Sequence, residues 1–207
     1  MILAETTFLG FFAAALLIEL TPGPNMAYLA ILAAGRGVRP GLAAVAGVAL
    51  GLLLVGAASA IGAAALISQS RIAWQTLRWA GAAYLLWLAW EGWRGGAHDR
   101  AVAYNEAEAR TLFLRGLTTN LLNPKAYLFY IAVLPRFTSE AGGSLFVQLL
   151  ALSLVYVSVA TAVHAAVVIG ANWLRRLLID DVGMTRLRRL LSVLLALVAV
   201  WLLWETR

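Results

Sequence analysis

The fold is decided by residues 19–26, ELTPGPNM, which interrupt an apolar run that extends over about residues 6–34. Pro22 and Pro24 each lack a backbone donor, and Gly23 between them adopts almost any backbone angle, so a regular helix cannot continue through them. Lipid offers no partners for the freed backbone groups, and open backbone at membrane depth therefore lies inside the protein or against a wet cavity. The stretch predicts a broken helix beside a functional site.

A second interruption follows about a hundred residues later, at residues 120–128, NLLNPKAYL. The sequences PNMAYL at 24–29 and PKAYL at 124–128 share a proline, a polar residue and Ala-Tyr-Leu. Interrupted segments at corresponding places in two halves of a chain are typical of the binding site of a transporter. The predicted helix-breaking residues are Pro22, Gly23, Pro24 and Pro124.

The composition indicates an integral membrane protein. Of the 207 residues, 62% are hydrophobic and 13% are charged, and the mean hydropathy is +0.84, whereas about a quarter of the residues of a soluble domain are charged. The net charge of +6 does not indicate nucleic-acid binding, because the arginines flank apolar segments, where they set topology. The chain has no cysteine and two histidines far apart, so we expect no metal site and no cofactor.

Spanning the hydrocarbon core takes roughly 20 apolar residues, and six segments are predicted to do so. They cover about residues 6–34, 41–67, 78–93, 112–134, 145–173 and 190–204. A polar linker at about 94–111 separates a first repeat, 1–93, from a second, 112–207, within one transmembrane domain. Because each half holds an odd number of spans, the two three-helix repeats are predicted to be inverted, with helices 1 and 4 broken.

Arginines are distributed unequally between the two sides of the predicted membrane. The connections after segments one, three and five hold eleven of them, and the other side holds only Arg71, Arg78, Arg136 and Arg207. By the positive-inside rule the first group is cytoplasmic, and both termini are predicted to lie outside. The eleven are Arg36, Arg39, Arg94, Arg100, Arg110, Arg115, Arg175, Arg176, Arg186, Arg188 and Arg189.

Several motifs together resemble the LysE/RhtB family of amino-acid exporters. They are TPGPN at 21–25, Arg36-Gly37 followed by Gly41, WAGAAYL at 79–85, and Asn120 with Asn-Pro-Lys at 123–125. The resemblance implies export of amino acids or related small metabolites across the bacterial inner membrane, coupled to the proton-motive force. It does not name the substrate. Many members carry a carboxylate in the fifth segment, where this chain has His164.

Two charged side chains are candidates for the site. Glu19 lies one turn before the first break, and Lys125 is the only lysine. An ionisable residue inside a membrane segment is a functional-site hypothesis by default. Glu19 would carry protons or contact a substrate amine, or else neutralise Lys125 or cap freed amides. Lys125 would bind a substrate carboxylate, or else form a structural ion pair or extend to the membrane surface.

The remaining candidates are polar and uncharged. Asn25, Asn120 and Asn123 have amides that replace the hydrogen bonds lost at the prolines, and the same amides are suited to substrate. His164 would relay protons, or else hydrogen-bond between helices. The predicted substrate-binding set is Glu19, Asn25, Asn120, Asn123 and Lys125, and the proton-coupling candidates are Glu19 and His164.

Small residues line one face of the second segment, at Gly47, Gly51 and Gly56. Such faces let membrane helices pack closely. We expect this face to pack within one subunit, and a homodimer contact is the alternative.

The function hypothesis is a secondary transporter, with protons, lipid and a small molecule as its partners. An enzyme would need a nucleophile with a base, or a metal cluster, and the sequence offers neither. A passive channel and a partner subunit without transport activity remain as alternatives. Paired discontinuous helices favour the transporter.

Overall fold

The computed structural model describes residues 5–62, 69–94, 104–139, 142–177 and 181–205, and these ranges are helical apart from short turns. This confirms the predicted all-α class. We number the α-helices α1 to α8 along the chain. They are α1 (Glu5–Leu20), α2 (Pro24–Arg36), α3 (Val38–Ala60), α4 (Arg71–Arg94), α5 (Glu106–Leu121), α6 (Pro124–Leu128), α7 (Leu145–Leu177) and α8 (Asp181–Glu205).

The outer surface of the helices is apolar, as expected for a membrane protein. Large hydrophobic side chains are exposed along α3, α7 and α8. Within the described ranges, two helices, Val38–Ala60 and Leu145–Leu174, are long and apolar enough to cross a membrane, and the bent pair Phe8–Leu20 and Pro24–Arg36 makes a third candidate. The prediction of six spans in two inverted repeats stays a prediction.

The structure confirms the first predicted break. Helix α1 ends at Leu20, and α2 begins at Pro24, with the two axes bent by 57°. Gly23 between them is extended, with φ −155° and ψ 179°. Pro24 takes the first position of α2, where its missing N–H has no intrahelical partner to lose. The break therefore ends one helix and starts another without straining the prolines.

The second predicted break is confirmed as well. Helix α5 ends at Leu121, and Asn123 caps α6 by accepting a hydrogen bond from the Lys125 backbone N–H at 3.1 Å. The Tyr127 hydroxyl donates to the carbonyl oxygen of Leu121, 3.1 Å away, and so satisfies a carbonyl at the end of α5. A π-helical turn (Phe129–Val133) and a 3-10 turn (Leu134–Phe137) continue the segment.

Three helices extend beyond the predicted apolar segments. Helix α4 begins at Arg71, α5 begins at Glu106 inside the predicted linker, and α8 begins at Asp181. The α5 start is capped by Asn105, whose side chain accepts from the Glu108 N–H at 2.9 Å. An apolar run marks only the part of a helix that contacts lipid or core, and capped polar turns continue past it. The central part of the linker, 95–103, lies outside the described residues.

Helix α3 packs along α5 and α7, while α8 packs against α4 and α2. At the α3–α5 crossing the backbones touch: a Cβ on Gly47 would overlap the carbonyl oxygen of Phe113, and one on Gly116 would overlap that of Ala44. The small-residue face of α3 thus packs within the chain, as expected. A different glycine joins α2 to α3, because Gly37 has φ 93°, a region that side chains rarely adopt.

The close α3–α5 contact leads to a stability prediction. Gly47→Leu should lower the free energy of unfolding by about 1–3 kcal/mol, because the new side chain would meet the backbone of α5, which cannot move aside. The matched control is Gly170→Leu on α7, where a Cβ would meet nothing within 4 Å. The measurement is the thermal unfolding midpoint of each purified variant in detergent. Equal midpoints for the two variants would contradict the packing described above.

Candidate functional site

The two breaks meet in the interior, and Lys125 joins them. Its Nζ donates hydrogen bonds to the carbonyl oxygens of Ile18, at 2.7 Å, and Thr21, at 2.8 Å. Ile18 lies in the last turn of α1 and Thr21 directly follows the helix, where intrahelical partners run out and the helix dipole is negative. The lysine of the second break therefore caps the helix that ends at the first.

Glu19 lies on the same turn of α1 and points to α7. The Tyr156 hydroxyl donates to Glu19 Oε1 at 2.5 Å, and His164 Nε2 lies 3.2 Å from Glu19 Oε2. All three side chains are buried. The structure records no salt bridge between Glu19 and Lys125, both of which it describes, so the direct partners of this carboxylate are Tyr156 and His164.

The asparagines connect α2 with α5. Asn25 Nδ2 donates to Asn120 Oδ1 at 2.9 Å, and both side chains are buried. This single bond leaves Asn25 Oδ1 and Asn120 Nδ2 without a hydrogen-bond partner in the protein. One acceptor and one donor are thus available side by side. Asn123, in contrast, uses its side-chain oxygen to cap α6.

A small cavity of about 10 Å³ lies between these groups. A single water needs about that much room, so the site is closed in this conformation. The predicted residues Glu19, Asn25, Asn123, Lys125 and His164 all line the cavity, and Asn120 reaches it only through Asn25. Of the helix-breaking residues, Gly23 lines the cavity, while Pro22 is exposed.

Sequence reasoning missed two tyrosines of the site. Tyr156 contacts Glu19 directly and stacks on Phe129, with ring centroids 3.8 Å apart. Tyr130 packs edge-on to Tyr156 at 5.4 Å, and its buried hydroxyl has no partner in the protein. Tyr156 precedes His164 by eight residues, about two helical turns, so the two share one face of α7. The spacing of Tyr156 and His164 could have indicated that both belong to the site, but a tyrosine in an apolar segment more often indicates packing.

These groups offer two kinds of chemistry. The carboxylate, the phenol and the imidazole form a chain through which one proton can be shared. The ammonium of Lys125 and the carbonyls of Ile18 and Thr21 form a separate charge-recognising set. Among the described residues, no three His, Cys, Asp or Glu side chains are grouped so that they could hold a metal ion.

The chain is similar to a homoserine/homoserine lactone efflux protein of Salmonella typhi, 39% identical over 127 residues, and to a leucine efflux protein of Enterobacter sp. (strain 638), 34% identical over 125 residues. An uncharacterized membrane protein of Vibrio cholerae is 33% identical over 135 residues. The three alignments cover 58%, 59% and 63% of this chain and 59%, 59% and 64% of the relatives.

No solved structure matches the chain. The family of LysE type translocators matches residues 16–206, a range that includes both breaks and every predicted site residue. The chain, a multi-pass membrane protein, therefore belongs to the LysE-type translocator family.

Proposed function

We propose that this protein is a secondary transporter of the bacterial inner membrane, which exports amino acids or related small metabolites in exchange for protons. Family membership supports export over catalysis. We further propose six spans arranged as two inverted repeats, with both termini outside. The matched relatives share only about three fifths of their length with this chain, so substrate and coupling are inferred from the site.

The packing of corresponding helices supports the repeat. Under the proposed inversion, α3 corresponds to α7, and α4 corresponds to α8. Corresponding helices contact each other in both cases, as helices that lie beside a two-fold axis in the membrane plane would do. The two breaks also correspond, and they meet at one place between the halves.

The observation that carries the proposal is the position of the Lys125 ammonium on the Ile18 and Thr21 carbonyls. An amino acid can replace both sides of this contact. Its carboxylate pairs with Lys125, and its ammonium takes over the carbonyls that the lysine releases. A zwitterion thus leaves no charge unpaired, which matters because an unpaired charge in a buried site is strongly unfavourable. The exchange would also unfasten α6 from α1.

Proton coupling is assigned to Glu19 and His164. Glu19 lies on the α1 turn whose carbonyls hold Lys125, so its protonation changes the charge beside the substrate contact. A proton from outside that binds the Glu19 carboxylate would remove its negative charge and weaken its contacts with Tyr156 and His164 on α7. Proton and substrate therefore act on one helical turn. A ligand shifts a conformational equilibrium only if it binds the two states with different affinities. We propose that the contacts of this turn give substrate and proton that difference.

The closed cavity supports alternating access. With about 10 Å³ between the site residues, an amino acid enters only after the helices around the breaks separate. A permanently open channel would instead show a continuous passage past these residues. We therefore propose that the site opens alternately to the two sides of the membrane.

The first prediction concerns Lys125. Lys125→Met should lower amino-acid efflux by at least about tenfold, since hydrogen bonds of a charged group contribute about 1.5–3 kcal/mol each. The assay is efflux from cells loaded with labelled amino acids, leucine and homoserine among them because the relatives bear those names. Arg39→Gln is the matched control, since it removes an exposed positive charge outside the site. Undiminished efflux in Lys125→Met, at equal protein in the membrane, would contradict the assignment.

The second prediction separates proton coupling from substrate binding. A protonophore should abolish concentrative efflux by the natural protein, whereas Glu19→Gln should keep some exchange of internal for external substrate that no longer responds to the protonophore. Glu106→Gln, which neutralises an exposed carboxylate at the start of α5, serves as the control. Efflux that runs only down the substrate gradient in the natural protein, with or without protonophore, would indicate a passive channel instead.

A further inference from the structure

A second and much larger cavity, of about 410 Å³, lies away from the central site, between α2, α4, α5 and α8. Its volume is within the range of small-molecule sites, about 300–1,000 Å³. It lies at the arginine-rich end of α2, and its inner end includes Tyr28, one helical turn from Asn25. None of its lining residues was a predicted site residue. We call it the vestibule.

Two ion pairs cross the vestibule wall. Arg36 of α2 pairs with Glu108 of α5, and Arg115 of α5 donates from Nη1 to both carboxylate oxygens of Glu91 on α4, each at 3.0 Å. All four side chains line the cavity. The lining thus carries two positive and two negative groups. The rest of the wall is largely apolar: Ile31, Leu32, Leu88, Leu112 and Leu195.

We propose that the vestibule is a binding site for small zwitterions with an apolar side chain, occupied before the central site. The order of binding, with the vestibule first and the central site second, rests on the proposed export function. The paired lining determines the ligand class. A zwitterion inserted between Arg115 and Glu91 replaces one ion pair by two, with its carboxylate on the arginine and its ammonium on the glutamate. A simple amine or carboxylate would leave one of the two side chains without its partner.

Exposure indicates which pair opens. The Arg115 and Glu91 side chains are 30% and 45% exposed, whereas Arg36 and Glu108 are only 17% and 8% exposed. Separating a solvated pair costs little, but separating a buried pair leaves charges without solvent. The Arg115 guanidinium also lies 5.3 Å from the centre of the Trp87 ring, which holds it in place when Glu91 moves. Arg36 and Glu108 remain the fixed link between α2 and α5.

Tyr28 gives the vestibule its inner boundary. It is 5% exposed, and its hydroxyl has no hydrogen-bond partner in the protein. A buried hydroxyl without a partner is unfavourable, and a ligand carboxylate or ammonium in the vestibule would supply one. Because Asn25 lies one turn before Tyr28 in α2, a ligand that passes Tyr28 would next meet Asn25 Oδ1 and Asn120 Nδ2, the two amide atoms without a partner.

The test uses the natural absence of cysteine. Gly35 lines the vestibule, and a Cβ there would meet nothing within 4 Å, so Gly35→Cys places a single thiol in the cavity. The rate of maleimide labelling in lipid nanodiscs is measured with L-leucine, whose side chain suits the apolar wall. Labelling should slow about tenfold at ten times the dissociation constant, by mass action. Isoamylamine and 4-methylpentanoate, which each keep one of leucine's two charges, should give little protection.

Variants in the same background locate the ligand. Arg115→Gln and Glu91→Gln should each abolish protection by leucine, and Arg110→Gln, which removes an exposed charge outside the vestibule, should leave it intact. Protection that persists in both Arg115→Gln and Glu91→Gln, or equal protection by all three probes, would overturn the proposal.

Lys125→Met distinguishes the vestibule from the central site. Protection should persist in this variant although export is lost, because Lys125 does not line the vestibule. Loss of protection in Lys125→Met would overturn the proposal and return the ligand to the central site. Full protection in a protein that exports no amino acid would instead support the vestibule and count against the proposed function.

Discussion

The contact between Lys125 and the end of α1 is the constraint on which the interior depends. An ammonium away from water needs acceptors, and a helix that ends inside the protein leaves carbonyls without donors. Each supplies what the other lacks, since Nζ binds the Ile18 and Thr21 oxygens. The carbonyl oxygens at the break stabilise the ammonium, and the ammonium supplies donors to the carbonyls at the break. Neither feature of the sequence is understandable without the other.

Around this contact the interior is divided by chemistry. On the α7 side, Tyr156 and His164 contact the Glu19 carboxylate of α1. The α5 side holds the amide pair of Asn25 and Asn120, with one acceptor and one donor unused. The proposed substrate contact and the proposed proton-coupling pair thus lie on neighbouring faces of one broken segment. Such proximity lets one event influence the other without a long chain of intermediate residues.

The breaks could be predicted because proline and glycine act locally, and the resemblance to the family could be stated because its motifs occur in order along most of the chain. The contacts between segments could not be predicted, since no local rule states that Lys125 contacts the α1 carbonyls while Glu19 contacts His164. Tyr156 was missed because an aromatic residue in an apolar helix usually signals packing. The starts of α4, α5 and α8 were missed because their first turns carry charged and polar residues that lie outside the apolar pattern. The number of spans and the roles of the site residues remain predictions.

The glycine contact between α3 and α5 has a consequence for motion. These helices come from opposite halves of the sequence, yet their backbones touch at Gly47 and Gly116, and α4 is likewise packed on α8. Halves that rocked against each other would have to shear both contacts. We therefore expect α3 to move with α5 and α4 to move with α8. The vestibule lies between these helix pairs, with Arg115 on α5 and Glu91 on α4, so a rotation of one pair against the other would change its width.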